Sequence, residues 1–269
     1  MKFDLDILND YLSKGILVKQ VHPRLPLTIW NYSRSCQYEK LWDDITLNMR
    51  ATVLDNEGNV IAKSFTKFFN LSEIESTPDL PFEVYEKYDG CLILLFWYDG
   101  EWIVSSKGSF TSIYAEKATD LFYELKNLDT NLCYTFELIS PISKIVVDYD
   151  SVEKLVMLAA FDKDGKEYSI SEYEEYGFEI AKKYSGIKNL INIYSTIKQN
   201  HEGYVIRFSN GFRVKVKSDE YTRLHYYKTR ITTKHIWEAL KENRVEELLE
   251  LIPDEIDQAV REKIQEYIL

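Results

Sequence analysis

Hydrophobic positions along the chain change period several times, and each change marks an element. Phe3, Leu5, Leu8, Leu12 and Ile16 recur at helical spacing, which predicts a short amphipathic helix within residues 3–18. Residues 21–36, punctuated by Pro23 and Pro26, read as extended or irregular. Segments 46–54 and 60–69 flank Asn56-Glu57-Gly58-Asn59 and predict a β-hairpin. That hairpin would carry Arg50 on its first arm and Lys67 and Phe69 on its second. A polar connector, 72–81, leads into the stretch FEVYEKYDGCLILLFWYDGEWIVSSKGSF, residues 82–110, around which the chain is organised. Its apolar run, Cys91 to Tyr98, is short for a helix and rich in strand formers. Asp99-Gly100 is a hairpin signal, and residues 101–105 return as the partner strand.

The remainder alternates in the same manner. Helical spacing covers 112–125. A strand over 132–138 carries Glu137 near its end, and a turn at Pro141 leads to a second strand, 144–149. Residues 155–161 and 167–170 form a hairpin across Asp164-Gly165. Ser171 and Glu174 make a capping pattern that predicts a helix reaching Tyr184. Strands 203–208 and 212–216 meet at Asn210-Gly211, a strong hairpin signal. From Ser218 onward the pattern is helical, with three short helices expected over 234–242, 245–251 and 255–269. There is no repeat and no low-complexity segment. The pattern divides a strand-rich domain, 1–230, from a small helical C-terminal subdomain, 231–269.

Composition narrows the class. The 269 residues, 45% hydrophobic and 29% charged, are ordinary for a globular protein with one large domain. No secretory pattern opens the sequence and no run approaches a membrane span, so a cytoplasmic protein with no membrane partner is expected. Cys36, Cys91 and Cys133 are far apart, which supports neither a zinc site nor a disulfide framework. The net charge of −11 argues against wholesale nucleic-acid binding. The charge is uneven, however. Arg213, Lys215, Lys217, Arg223, Lys228, Arg230 and Lys234 crowd one strip against only Asp219 and Glu220, and a local basic strip can collect phosphates on an acidic protein.

The candidate chemistry lies in short elements that recur in a fixed order. Lys87-Tyr88-Asp89-Gly90 sits at the mouth of the apolar sheet, and Lys107-Gly108-Ser109 follows twenty residues after Lys87. Glu137 ends a strand, and Glu202-Gly203 opens EGYVIRF. Lys215 and Lys217 alternate with Val214 and Val216, so both lysines project from one strand face. Each element alone reads as a turn with a surface lysine, a strand-end carboxylate or the wet face of a strand; their order makes the case. His201, His225 and His235 show no metal spacing, and Glu246-Glu247 reads as part of a solvated helix face.

Taken in order, KYDG, SKGSF, FE, EGYVIRF and VKVK resemble the nucleotidyltransferase motifs of ATP-dependent ligases and capping enzymes. The sequence is most similar to RNA ligases of bacteriophage type, which reseal cleaved tRNA. Lys67-Phe68-Phe69-Asn70, the upstream Arg50, Tyr221 and the Leu224-His225 pair extend the resemblance over about residues 45–250.

The resemblance implies an α+β fold: a nucleotidyltransferase (ATP-grasp-like ligase) domain of antiparallel sheets flanked by helices, with a short all-helical C-terminal tail. It implies that Lys87 attacks the α-phosphate of ATP to form lysyl-AMP, while Lys215 and Lys217 hold that phosphate. Those two cations would also favour the neutral amine of Lys87. Arg50, Lys67 and Lys107 would grip phosphates, Phe69 would stack on adenine, and Glu137 would accept from the ribose. Asp89 and Gly90 would shape the turn, Tyr221 would join the nucleotide site, and Glu202 would bind Mg2+ or Mn2+. The implied partner is RNA with 5′-phosphate and 3′-hydroxyl ends, acted on by a monomer. The stretch after Lys228 resembles the beginning of the phage ligases' helical domain. DNA ligases and capping enzymes carry a strand-rich barrel after the last lysine motif, and the helical pattern there is expected to argue against those two readings. The alternatives are a nucleotidyltransferase with another acceptor and a non-catalytic module that binds RNA ends.

Overall fold

The computed structural model describes residues 1–122, 127–230, 233–242, 244 and 245. Helix α1 (Leu5–Ser13) is capped by Asp4, whose carboxylate accepts from the N–H groups of Asp6 and Ile7. Strands β1 (Leu17–Val21) and β2 (Leu27–Tyr32) follow. They form a hairpin, so the extended reading holds for Leu27–Tyr32; Pro23 and Pro26 both fall in the connecting loop, outside the hydrogen-bonded ladder. Short helices α2 (Arg34–Glu39) and α3 (Asp44–Asn48) lead to β3 (Arg50–Asp55) and β4 (Val60–Ala62). The expected hairpin exists but its second arm is short. Lys67 lies in irregular chain, and Phe69 belongs to β5 (Phe69–Asn70), in a different sheet.

Next come β6 (Phe82–Lys87), β7 (Cys91–Tyr98), β8 (Glu101–Ser106), helix α4 (Ile113–Phe122) and β9 (Cys133–Ile139). Strand β10 (Lys154–Phe161) turns into β11 (Glu167–Tyr168). The strand expected over 144–149 is absent, since that backbone turns its N–H groups to the Asp89 carboxylate instead. The helix expected from Ser171 to Tyr184 is a 3-10 segment, Ser171–Tyr176. Gly177, at φ 86°, ends it in a left-handed cap. Edge strands β12 (Glu179–Ile180) and β13 (Lys183–Tyr184) then pair with two different sheets. The hairpin of β14 (Gly203–Phe208) and β15 (Arg213–Lys217) precedes helices α5 (Asp219–Arg230) and α6 (Thr233–Lys241). The helices expected over 245–251 and 255–269 and the Glu246-Glu247 pair lie outside the described residues.

Three sheets result. The first runs β1-β2-β3-β4, the second β11-β10-β9-β7-β8 with β12 beside β10, and the third β13-β6-β14-β15-β5. The first two stack face to face, with Ile29, Val53 and Ala62 against Leu92, Leu94 and Phe96. The outer face of the first is covered by α1 through Leu8, and that of the second by α4 through Ala118 and Phe122. This explains the unbroken apolar run in β7: Leu92 and Leu94 face one layer while Ile93 and Leu95 face the other, so neither side meets water. The third sheet turns Val84, Ile206, Val214 and Val216 onto its own core, beneath Ile193. Among the described residues no helix is long and apolar enough to cross a membrane.

Candidate active site

The third sheet aims the basic residues. Gly203 of β14 pairs with Lys87 on one side and Lys217 on the other, and Val205 likewise pairs with Tyr85 and Lys215. Residues directly opposite in an antiparallel ladder share a face, so Lys87, Lys215 and Lys217 project together. The next row adds Glu83, Arg207 and Arg213. Gly203 holds φ 147°, and a Cβ there would meet the Val216 carbonyl oxygen at 1.9 Å. Only glycine fits between the two lysine rows. Gly90 is required for a different reason: a Cβ would lie 2.3 Å from the Leu138 carbonyl oxygen and 3.1 Å from Glu137 Cγ. It lets the turn after Lys87 press directly on β9, beside Glu137.

These faces enclose a cavity of about 670 Å³. Of the residues singled out in the sequence, Lys87, Lys215, Lys217, Arg50, Lys67, Lys107 and Glu137 line it. Phe69 does not; Phe68 and Phe65 do. Phe69 instead packs edge-on against Trp42, with ring centroids 5.5 Å apart. Asp89, Gly90, Tyr221 and Glu202 support the cavity from behind. Asp89 is buried; one oxygen accepts from Val146 N–H at 2.6 Å and Val147 N–H at 2.8 Å, and the other from the Tyr221 hydroxyl at 2.8 Å. The Tyr149 hydroxyl accepts from Asp89 N–H. The turn after Lys87 is thus tied to the 146–149 loop and to α5.

Glu202 is 2% exposed, and its two oxygens receive Lys87 Nζ at 2.7 Å and Lys217 Nζ at 2.9 Å. Burial opposes its charge, but the two ammonium groups outweigh that and hold its carboxyl below the usual range. The same pairing revises the expectation for Lys87. Burial favours its neutral amine, yet the Glu202 and Glu137 carboxylates overcome burial and raise its pKa. The lysine brought near neutrality is Lys215, pushed down to about 7 by burial and by Lys67, Lys87 and Lys217. Lys107 falls to about 8 through burial and the nearby Arg50 and Lys67. Glu137 rises to about 7 because burial outweighs the pull of Lys87. Three titrating groups poised near neutral pH in one cavity mark a site of charge chemistry.

Arg50 owes its direction to a β-bulge. The β2–β3 register skips Ala51, which adopts φ 57° and donates its freed N–H to Asn31 Oδ1 at 2.8 Å. Tyr32, which no sequence motif singles out, lies close by. Lys67 Nζ is 5.3 Å from its ring, 5.0 Å from that of Trp42 and 5.2 Å from that of Phe69, and Lys107 Nζ is 4.9 Å from Tyr32. Arg213 was legible, since it continues the two-residue spacing of Lys215 and Lys217; Arg207 was not, because only its pairing with Arg213 brings it to that face. Tyr32 gave no signal, because only the β1–β2 hairpin brings it to the cavity.

The described residues include no group of three or more His, Cys, Asp or Glu side chains able to hold a metal. Glu137 offers a carboxylate to the cavity, whereas both oxygens of Glu202 are committed to lysines. That donor set suits a magnesium-type ion carried in largely by substrate phosphates and water.

The α+β body, with its lysine-bearing sheet face flooring a cleft, has the nucleotidyltransferase fold. Solved structures share this fold. An archaeal ATP-dependent RNA ligase superposes with a TM-score of 0.59 at 14% identity, covering 98% of this chain and 76% of that one. A chain from Aquifex aeolicus, described as a candidate ATP-dependent DNA ligase, gives 0.58 at 16% identity, covering 92% and 79%. The family model for RNA ligase matches residues 48–221, and the chain belongs to the RNA ligase family. Relatives include the RNA ligase of Rhodothermus phage RM378, 22% identical over 93% of this chain and 74% of its own. A protein of Autographa californica nuclear polyhedrosis virus, named as a candidate bifunctional polynucleotide kinase/RNA ligase, is 25% identical over 79% of this chain. The match spans only 37% of that viral relative's length.

Proposed function

We propose that this chain is an ATP-dependent RNA ligase that works through a lysyl-AMP intermediate on Lys87. The observation that supports this best is the single sheet face shared by Lys87, Lys215 and Lys217, with Glu202 bridging the first and last. In the first step the Lys87 amine, freed of its proton, attacks the α-phosphorus of ATP. A P–N bond forms, the P–O bond to pyrophosphate breaks, and pyrophosphate leaves. An RNA 5′-phosphate oxygen then attacks the same phosphorus, which releases Lys87 and leaves a 5′–5′ adenylylated end. Finally a 3′-hydroxyl attacks the RNA 5′-phosphorus and AMP departs.

The local physics suits each step. Lys215 and Lys217 flank the position where negative charge builds on phosphate oxygens, inside a cavity that weakens solvent screening. Arg50, Lys67 and Lys107 supply further cations for the departing pyrophosphate and later for the RNA end phosphate. Glu202 holds Lys87 charged in the free protein, so the ammonium must give up its proton before it attacks, and the adjoining Glu202 carboxylate is the nearest acceptor for it. A divalent ion held through Glu137 and substrate phosphates would neutralise charge on the triphosphate. Phe65, Phe68 and Tyr85 are among the aromatic side chains that line the cavity, whereas Phe69 does not. The protein is read as a cytoplasmic monomer acting on 5′-phosphate and 3′-hydroxyl RNA ends, with RNA repair, including tRNA repair, as the setting.

Incubation with α-labelled ATP tests the reading. A covalent label that survives denaturation and alkali but is lost in acid, as a P–N bond requires, and that is absent from Lys87→Ala, is expected; an unlabelled wild-type protein would remove the enzyme reading. Pre-adenylylated RNA is expected to restore part of the sealing by Lys87→Ala. The same experiment with labelled GTP separates a nucleotidyltransferase of other specificity.

A further inference from the structure

A second cavity, about 540 Å³, opens beside the first and shares Tyr32 and Lys107 with it. Its walls come from the start of β1, the end of β2 and the Lys107-Gly108 loop. No carboxylate lines it, although the chain carries a net charge of −11. Lys19, Arg34 and Lys107 do, and Arg34 is exposed with no ion-pair partner among the described residues. A Cβ on Gly108 would meet only Asn31 Nδ2, at 3.9 Å, so the backbone there is open to a close approach.

The groove is firmly built. Asn31 Nδ2 donates to the Lys107 carbonyl at 2.9 Å, Phe110 N–H donates to Gln20 Oε1 at 2.8 Å, and Gln20 Nε2 donates to Ser109 Oγ at 3.1 Å. These bonds lock the Lys107 loop to the first sheet. They also engage the amides, so the charge the groove presents is cationic: Arg34, with Lys19 resting over Trp30 and Lys107 over Tyr32.

We infer that this groove carries the sugar–phosphate backbone of the RNA strand whose 5′-phosphate receives AMP. The inference rests on the RNA-ligase reading. An end phosphate held among Arg50, Lys67 and Lys107 sits where the two cavities meet. The strand behind it has a continuous path past Tyr32 and Lys107 into an acid-free channel. Phosphate contacts of this kind position a strand without reading its sequence.

The test uses Arg34→Glu and Val18→Glu, the latter placing a charge on an exposed groove residue. Three readouts are compared with wild type: self-adenylylation without RNA, KM for a 5′-phosphorylated single-stranded RNA in AMP transfer, and direct RNA binding by anisotropy. Self-adenylylation is expected to stay within about twofold, which also shows that the variants fold. KM and Kd for RNA are expected to rise at least about tenfold, and the salt dependence of binding in Arg34→Glu is expected to be shallower by about 0.7 for each phosphate no longer neutralised. Arg34→Lys is expected to restore most of the affinity. Normal labelling with unchanged RNA KM and Kd in both variants overturns the groove and leaves the ligase reading intact. A wild type that takes no label, while both variants lose RNA binding, removes the ligase reading and retains the groove as an RNA site.

Discussion

Lys87 Nζ lies 2.7 Å from Glu202 Oε2, and that carboxylate, 2% exposed, reaches Lys217 through its other oxygen. The charge of Lys87 is therefore favoured by carboxylates, the buried Glu202 first and Glu137 beside it. An exposed ion pair contributes about 0–1 kcal/mol, but removing one partner of a buried pair costs about 3–5 kcal/mol. Glu202→Gln is expected to lower thermal stability measurably. It also removes the attraction that raises the Lys87 pKa, so the rising limb of the self-adenylylation pH profile is expected to move to lower pH. Single-turnover labelling across pH checks this; an unmoved limb would mean Glu202 does not set the charge of Lys87.

Anion binding is expected to take up protons. Lys215 at about 7 and Lys107 at about 8 are largely neutral or half-neutral at pH 8. A bound phosphate group favours the charged form of each and raises both pKa values. Calorimetry of pyrophosphate binding in buffers of different ionisation enthalpy is expected to show uptake of about one proton at pH 8. The uptake fades toward pH 6, where both lysines already carry protons. Release in place of uptake would contradict the assigned cavity electrostatics.

Glycine at 203 has no substitute. The Cβ of Gly203→Ala would collide with the Val216 carbonyl oxygen at 1.9 Å, against backbone that cannot swing aside, at φ 147°. A loss of about 3 kcal/mol or more is expected. Gly100→Ala serves as comparison: it also has positive φ but nothing within 4 Å, and a loss of about 1 kcal/mol is expected. Chemical denaturation of the two variants checks the order.

The Tyr221 hydroxyl donates to Asp89 Oδ1 at 2.8 Å inside the protein. Burial and the Glu202 and Asp89 carboxylates raise its pKa far from titration. Tyr221→Phe leaves a buried carboxylate oxygen short of a donor and is expected to cost about 1–3 kcal/mol. A double-mutant cycle with Asp89→Asn is expected to be non-additive by more than about 0.5 kcal/mol. Because Asp89 anchors the turn after Lys87, Tyr221→Phe is also expected to slow self-adenylylation more than it weakens ATP binding.

Much of the site is legible in the sequence because strand alternation is a local signal. Lys215 and Lys217 face the cavity while Val214 and Val216 enter the core, as their spacing demands. Lys87 ends β6 just before the apolar run, as expected, whereas Glu137, expected at a strand end, lies within β9, which continues to Ile139 and pairs it with Leu92 and Val156. What the sequence does not carry is the choice of partner. Residues 171–184 have helical signals, yet parallel pairing of Glu179–Ile180 with β10 and antiparallel pairing of Lys183–Tyr184 with β6 override them. Phe69 reads as a hairpin residue, and its parallel pairing with Val214 takes it out of both hairpin and cavity. The burial of Asp89 and Tyr221 is equally non-local, since their hydrogen bond joins positions 132 residues apart.

The ring cluster around Lys67 gives the molecule an optical gauge of its own. Trp42 stands 5.0 Å from that ammonium group and edge-on to Tyr32 and Phe69, and an indole's emission responds to a cation resting on its face. If a bound phosphate draws Lys67 away, the fluorophore is expected to lose that charge. Occupancy can then be followed in unlabelled protein, with Trp42→Phe as the silent control.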